Sequence, residues 1–175
     1  MRAVILFPIF ILISICAFGQ GGRTTNTHTI KATFLGLSYS FEQTMSQKST
    51  INYEFIMAGG FGSDFINGNY WLIVPVIRVE PRYYYNLTKR YDKGRKTINN
   101  SANYLSFSAD YQLGTGIGSN ASSISTFKLI PKWGMKRTIG NHFIFEFAAG
   151  VGAQKSENNN WKSTPGLDLK LGYSF

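Results

Sequence analysis

The side chains of this 175-residue chain that could do chemistry are mostly charged groups set at alternate positions. Acidic and basic residues recur in segments whose intervening residues are large and apolar. Charges at this spacing share one face of a β-strand, where oppositely charged side chains can pair. Five acids and five bases follow the pattern: Glu54, Arg78, Glu80, Arg82, Asp110, Lys128, Lys132, Glu146, Asp168 and Lys170. We interpret them as an interior charge network.

A catalytic arrangement can be composed from His142 and Glu146, with Ser106 or Ser108 facing them. Serine, histidine and glutamate would suit a membrane-embedded lipid hydrolase. Lipid-A deacylases, however, hold their serine close to the histidine in sequence, and the residues around His142 do not. The chain also has no nucleotide, zinc-hydrolase or nucleophile-elbow motif. We therefore expect no enzyme activity, no catalytic residues, no cofactor and no metal site, and the hydrolase remains an alternative.

Segments of period-two alternation must position these charges. The alternating segments are 35–42, 51–61, 71–86, 105–113, 127–136, 143–152 and 167–175. Single-chain bacterial barrels have even strand numbers, so an eighth strand is expected. Either Thr24–Phe34 supplies it, or 31–42 is divided where the alternation changes phase at Phe34-Leu35. Pro75 and Pro81 lie inside the third segment and predict bulges or a strand end there.

The two faces of these segments differ in a way that predicts the surroundings of the protein. The apolar faces carry large aromatic residues near strand ends, such as Trp71, Tyr83 and Trp133, whereas the other faces carry Gly, Ser and charges of both signs. Aromatic girdles outside and polar residues inside are typical of a barrel that faces lipid. The predicted fold is all-β: a transmembrane antiparallel up-and-down β-barrel of eight strands. A soluble periplasmic ligand-binding barrel is the alternative architecture.

The first residues predict export. A basic start, an apolar run and Ala17-Phe18-Gly19 follow the layout of a secretory signal peptide, and the run is short for a spanning helix. We expect a cleaved signal peptide over 1–19 and a barrel domain over 20–175. Cys16 is the only cysteine, so the mature chain would hold neither a disulfide nor a thiolate metal site.

The net charge of +9 is concentrated in the connections at one end of the predicted barrel. Those connections carry Lys48, Lys89, Arg90, Lys93, Arg95, Lys96, Lys136 and Arg137 against Asp92. If Phe175 ends in the periplasm, this basic rim is periplasmic. Its segment from Lys89 to Lys96 predicts contact with anionic lipid or an acidic polymer, although a solvated rim without a partner fits equally well. No stacking platform or binding motif suggests nucleic acid.

Two stretches resemble a known group of proteins. The block Glu80-Pro81-Arg82-Tyr83-Tyr84-Tyr85-Asn86-Leu87, with basic 89–96 and Asn99-Asn100-Ser101-Ala102-Asn103-Tyr104-Leu105 after it, resembles uncharacterised outer-membrane β-barrel proteins of Bacteroidota-type Gram-negative bacteria. The ending with Leu171, Tyr173 and Phe175 is similar to the assembly signal of such barrels. The resemblance implies an outer-membrane location, with membrane lipid and the barrel assembly machinery as partners.

The expected function is that of a small, monomeric outer-membrane barrel with a structural or surface-interaction role. An eight-stranded barrel has an interior about filled by side chains, so we predict a salt-bridged core without an open pore. A narrow channel for small solutes is the first alternative. No residue pattern identifies a ligand or a transported solute.

Overall fold

The structure is a computed structural model that describes residues 22–34, 36–64, 68–119, 123–157 and 159–175, without side chains for 62–64, 68–70 and 119. The signal peptide expected over 1–19 lies outside the described residues. No helix in the described part of the chain is long and apolar enough to cross a membrane.

Nearly all of the described chain forms β-strands, as the period-two alternation predicts. The strands are β1 Thr27–Thr33, β2 Gly36–Thr44, β3 Ser49–Asp64, β4 Gly68–Tyr83, β5 Asn103–Gln112, β6 Ile117–Ser119, β7 Thr126–Ile139, β8 Phe143–Ser156 and β9 Lys162–Ser174. Helix α1 spans Leu87–Asp92, and a single 3₁₀ turn spans Ile98–Asn100; both lie in the connection between β4 and β5.

Eight of the strands close into an antiparallel barrel. Following the pairings around the sheet gives the order β3-β2-β1-β9-β8-β7-β5-β4, and β4 returns to pair with β3. The extra strand β6 pairs with β4 beyond the end of β5. The prediction of an eight-stranded barrel is confirmed. Closure matters physically because it leaves no long strand edge with unpaired backbone groups.

The first strand follows from the change of phase at Phe34-Leu35. Those two residues lie between β1 and β2, which pair from Thr27 opposite Glu42 up to Thr33 opposite Gly36. The stretch before the phase change therefore supplies the eighth strand. This strand, β1, is only seven residues long, so the barrel wall is shorter there than at β3 or β9.

The prolines of β4 behave differently from each other. The register between β4 and β5 is the same on both sides of Pro81, so there is no bulge at this position, and β4 ends shortly after it at Tyr83. Pro81 still pairs in register with Ile51 of β3. β4 continues through Pro75, so this proline does not end its own strand; the partner strand β5 ends near it at Gln112, and the pairing resumes with β6 in a shifted register.

The two faces of the wall carry opposite chemistry. Side chains that point into the barrel are polar or charged and buried, as Lys31, Glu54 and Arg82 show. Side chains that point outward are large, apolar and exposed, as Phe55 and Leu171 show. The interior of the barrel wall is therefore polar and charged, and its outer face is apolar.

The first described residues, from Gly22 to Asn26, lie with the C-terminus and the connection 84–102 at one end of the barrel, which we call the closed end. There Tyr84, Leu87, Ala102 and Tyr104 are fully buried and pack with Ala148 of β8. Outside this cluster, the side chain of Asn100 is fully buried too and ties the connection to the segment before β1: its amide oxygen accepts from the Thr25 N–H and its amide nitrogen donates to the Thr25 carbonyl, both at 2.8 Å.

Lys136 and Arg137 do not belong to a connection, contrary to the prediction from the sequence. Both lie within β7, which continues to Ile139. Lys136 points into the barrel and is fully buried, whereas the guanidinium of Arg137 donates to Asn103. The turn that follows β7 is correspondingly short, and β8 begins at Phe143.

Candidate functional site

The barrel interior holds one continuous network of ion pairs. Its carboxylates are Glu42, Glu54, Glu80, Asp110, Glu146 and Asp168, and its bases are Lys31, Arg78, Arg82, Lys132, Lys136 and Lys170. Negative and positive groups are equal in number, so the network is neutral as a whole. Burying a charge is costly unless it is paired, and every charge of this network lies within 4.0 Å of an opposite charge.

Glu146 is the centre of the network near the closed end. One of its carboxylate oxygens accepts from Lys31 Nζ at 2.8 Å, and the other accepts from Arg82 at 2.6 Å and from the Tyr104 hydroxyl at 2.9 Å. Arg82 also donates to Glu80, and its guanidinium lies 4.7 Å from the centre of the Tyr104 ring. The Glu146 carboxylate thus binds three donors from three other strands.

Glu42 forms a second buried centre beside it. Its carboxylate accepts from Lys136 Nζ at 2.7 Å, from the Tyr84 hydroxyl at 2.6 Å and from Thr50 Oγ1 at 2.7 Å. Burial, followed by the nearby Glu42 carboxylate, raises the pKa of Tyr84 well above its ordinary value. The Tyr84 hydroxyl therefore stays protonated and remains a donor.

The middle and the far part of the network are linked through Glu54 and Arg78. Glu54 accepts from Lys170 Nζ at 2.7 Å and lies 3.7 Å from Arg78. Arg78 makes two parallel bonds of 2.8 Å to Asp110 and one of 3.0 Å to Asp168. Lys132 donates to the other oxygen of Asp168 at 2.7 Å.

Nine of the ten residues singled out from the sequence lie in this network, and the tenth, Lys128, is near it. Lys128 points inward from β7, is half-buried, and forms no ion pair with a carboxylate whose side chain is described. Three members were missed: Lys31, Glu42 and Lys136. Each lies on the polar face of its strand, and strand parity would have found Glu42 and Lys136.

The residues of the hydrolase hypothesis are not brought together. His142 is exposed in the turn before β8, with its ring nitrogen 2.9 Å from the Ser174 carbonyl oxygen and its ring stacked on Tyr173. Ser106 donates to Glu80. The carboxylate of Glu146 is already bound by Lys31, Arg82 and Tyr104, as described above. These contacts give no serine, histidine and glutamate chain. Within the described ranges, no group of three or more His, Cys, Asp or Glu side chains could hold a metal ion.

The end of the barrel opposite the closed end has a gap in its wall. The β1–β2 hairpin stops at Thr33 and Gly36, where β1 pairs with Lys170 of β9 and β2 pairs with Ala58 of β3. Beyond these pairs, 59–64 of β3 and 162–169 of β9 continue without a described strand between them. We call this gap the notch and this end the notched end.

A cavity of about 270 Å³ lies behind the notch. Its apolar wall includes Ile56, Val76 and Leu167. Its charged residues are Arg78, Asp110, Lys128 and Asp168. The far part of the ion-pair network thus forms the floor of a cavity that opens sideways through the barrel wall.

No family model, curated protein or solved structure matches the chain. The class of protein is therefore defined by the fold alone: a small, closed, eight-stranded antiparallel β-barrel with one extra strand.

Proposed function

We propose that the protein is a monomeric outer-membrane β-barrel with a structural or surface-interaction role. One observation carries the proposal: the outward side chains form an apolar belt around a charged interior. Exposed members of the belt include Leu37, Phe55, Ile77, Leu105, Phe107, Val151, Leu169 and Leu171, which lie on six different strands. Soluble monomers rarely expose an apolar patch of more than a few hundred Å², and lipid is the solvent that favours such a belt.

The distribution of aromatic residues supports the same proposal. Tyr83 and Tyr173 lie outward near the closed end, whereas Trp71 and Phe127 lie outward near the notched end. Aromatic rings favour both interfaces of a bilayer, where an apolar body meets a polar surface. The closed ladder of eight strands also satisfies the backbone groups that lipid cannot solvate.

A filled interior favours a structural role over conduction. Tyr84, Leu87 and Tyr104 are completely buried at the closed end, and the centres of the network at Glu42 and Glu146 are 1% exposed. Water and ions crossing the barrel would have to displace these groups. We therefore propose no steady pore, and a large steady conductance from the refolded protein in planar bilayers would contradict this.

The basic surface at the closed end supplies a further expected contact. Lys89, Lys93, Arg95 and Lys96 are exposed around α1, whereas Arg90 is half-buried and donates to the Ser101 carbonyl at 2.9 Å. Exposed cations in this number attract anionic headgroups at low ionic strength. We propose inner-leaflet anionic phospholipid or an acidic periplasmic polymer as the partner of this surface, with the barrel assembly machinery acting during insertion.

Membrane fractionation tests the location. The full chain should sediment with the outer membrane and resist extraction without detergent. On a gel, the unheated protein should migrate differently from the boiled protein because a folded barrel stays compact. Recovery in the soluble periplasmic fraction, with one mobility in both lanes, would defeat the proposal and favour the soluble ligand-binding barrel.

A single outward substitution separates the two barrel types. Leu169 is 46% exposed on the outer face. If that face meets lipid, Leu169→Arg should lower the free energy of unfolding by about 2–4 kcal/mol. In a soluble barrel the same change would stay within about 0.5 kcal/mol, as surface substitutions do. Denaturant unfolding in lipid vesicles measures the difference, and Glu157→Arg in an exposed turn is the matched control.

A further inference from the structure

The notch places charged groups next to the outer, apolar surface of the barrel. On one side of it lies the edge of β3 beyond Ala58, and on the other lies the edge of β9 up to Leu169. Phe34, 82% exposed, lies at the margin of the notch where the β1–β2 hairpin ends. A molecule that reached from the apolar surface into the cavity would pass between apolar side chains and then meet charges.

Among the charged residues that line the cavity, Lys128 is the one without an ion pair to a described side chain. Asp110 is bound by Arg78 through two hydrogen bonds, and Asp168 is bound by Arg78 and Lys132. The nearest strand positions to Lys128 are Asp110 on β5 and Gln154 on β8. The ammonium group has three donors and no described carboxylate partner, so an incoming anion would supply the missing acceptor.

The size and lining of the cavity limit what can enter. Pockets that enclose a drug-sized ligand measure roughly 300–1,000 Å³, and this cavity measures about 270 Å³. It has room for a compact headgroup but not for a whole lipid. The apolar residues beside it, Leu167 and Leu169, are 73% and 46% exposed and would lie along a chain that leaves through the notch.

We propose that the notch binds the anionic head of a single-chain amphiphile. The head, a carboxylate or a phosphate, is held by Lys128, with Arg78 on the floor of the cavity. The acyl chain leaves sideways past Phe34 and Leu167 and lies against the outer surface of the barrel. This inference rests on the proposed membrane location, because the membrane would supply the amphiphile. The notch and the cavity are features of the barrel fold and do not depend on that location.

Calorimetric titration of the full, refolded chain in dodecyl maltoside micelles tests the site. Dodecyl phosphate and dodecanoate are the anionic probes and separate a phosphate head from a carboxylate head. Dodecyltrimethylammonium tests the charge, and inorganic phosphate tests the need for a chain. We expect saturable one-to-one binding of at least one anionic amphiphile. Equal binding of the cationic probe, or equal affinity for inorganic phosphate alone, would overturn the proposal.

Substitutions assign the binding to the cavity. Lys128→Gln should weaken binding about tenfold, as the loss of one charge-assisted hydrogen bond does, and Lys128→Arg should retain most of the affinity. Lys155→Gln is the matched control, because Lys155 is exposed on β8 at the same end but does not line the cavity. Equal losses in Lys128→Gln and Lys155→Gln would mean a nonspecific charge effect and would overturn the assignment.

The cavity itself can be blocked. Ala58 lines it at the edge of the notch, so Ala58→Trp should abolish binding while the heated and unheated forms still migrate differently. A barrel that fractionates with the outer membrane but binds no probe would defeat the site and leave the proposed location intact. Binding of a probe by a chain that is recovered in the soluble fraction would support the site and defeat the proposed location.

Discussion

The closed end and the notched end are built from the same alternating strands but are filled differently. At the closed end the interior holds Tyr84, Leu87 and Tyr104, all completely buried. At the notched end the inward positions include Ala58, Gly60 and glycines of β8, and a cavity remains. The same polar face therefore seals one end and leaves the other accessible. Stability should depend mainly on the closed end, and binding on the notched end.

The largest expected difference between the two ends is the cost of breaking a buried charge pair. Glu146→Gln leaves Lys31 and Arg82 without their shared carboxylate in a fully buried site, and should lower the free energy of unfolding by about 3–5 kcal/mol. Asp168→Asn should cost less, because the Asp168 side chain is 14% exposed and water from the cavity can solvate its partners. Denaturant unfolding in detergent measures both. Equal losses would contradict the division into two ends.

A smaller difference is expected from adding one methyl group at each end. Gly134 faces the ring of Tyr104 so closely that a Cβ there would overlap the ring, whereas a Cβ at Gly60 would meet nothing within 4 Å. Overpacking a filled core costs about 1–3 kcal/mol, so Gly134→Ala should be destabilising by that amount. Gly60→Ala should stay within about 0.5 kcal/mol. Thermal unfolding monitored by the gel shift compares them, and similar midpoints would show that the closed end is not tightly packed.

The sequence was sufficient to predict seven of the strands and the two faces of each, because alternation is a local property, whereas the first strand was left between two alternatives and β6 was not predicted. Charges such as Glu54 and Asp168 lie inside the barrel for that reason alone. Lys136 was misassigned to a connection because the recognisable alternation ends at 136, and only the pairing of β7 with β8 up to Ile139 shows that the strand continues. Lys31 was missed because the threonine-rich β1 has few apolar residues to mark its phase.

The notch could not be predicted, for a different physical reason. It arises because the β1–β2 hairpin ends at Thr33 and Gly36 while β3 and β9 continue. How far each strand extends past its neighbours depends on the register in which all the strands pair when the barrel closes. Period-two alternation does not specify that register. The balance of charges inside the barrel is similarly nonlocal, since the partners of Glu146 come from β1, β4 and β5.

Tryptophan fluorescence tests most directly whether the outward face of this barrel meets lipid. Trp133 lies outward on β7, and Trp71→Phe with Trp161→Phe leaves it as the only tryptophan. If that face meets lipid, the fluorescence of Trp133 should be strongly quenched in vesicles with brominated acyl chains compared with vesicles of ordinary lipid. Equal fluorescence in the two kinds of vesicle, from protein that shows the gel shift of a folded barrel, would contradict lipid contact.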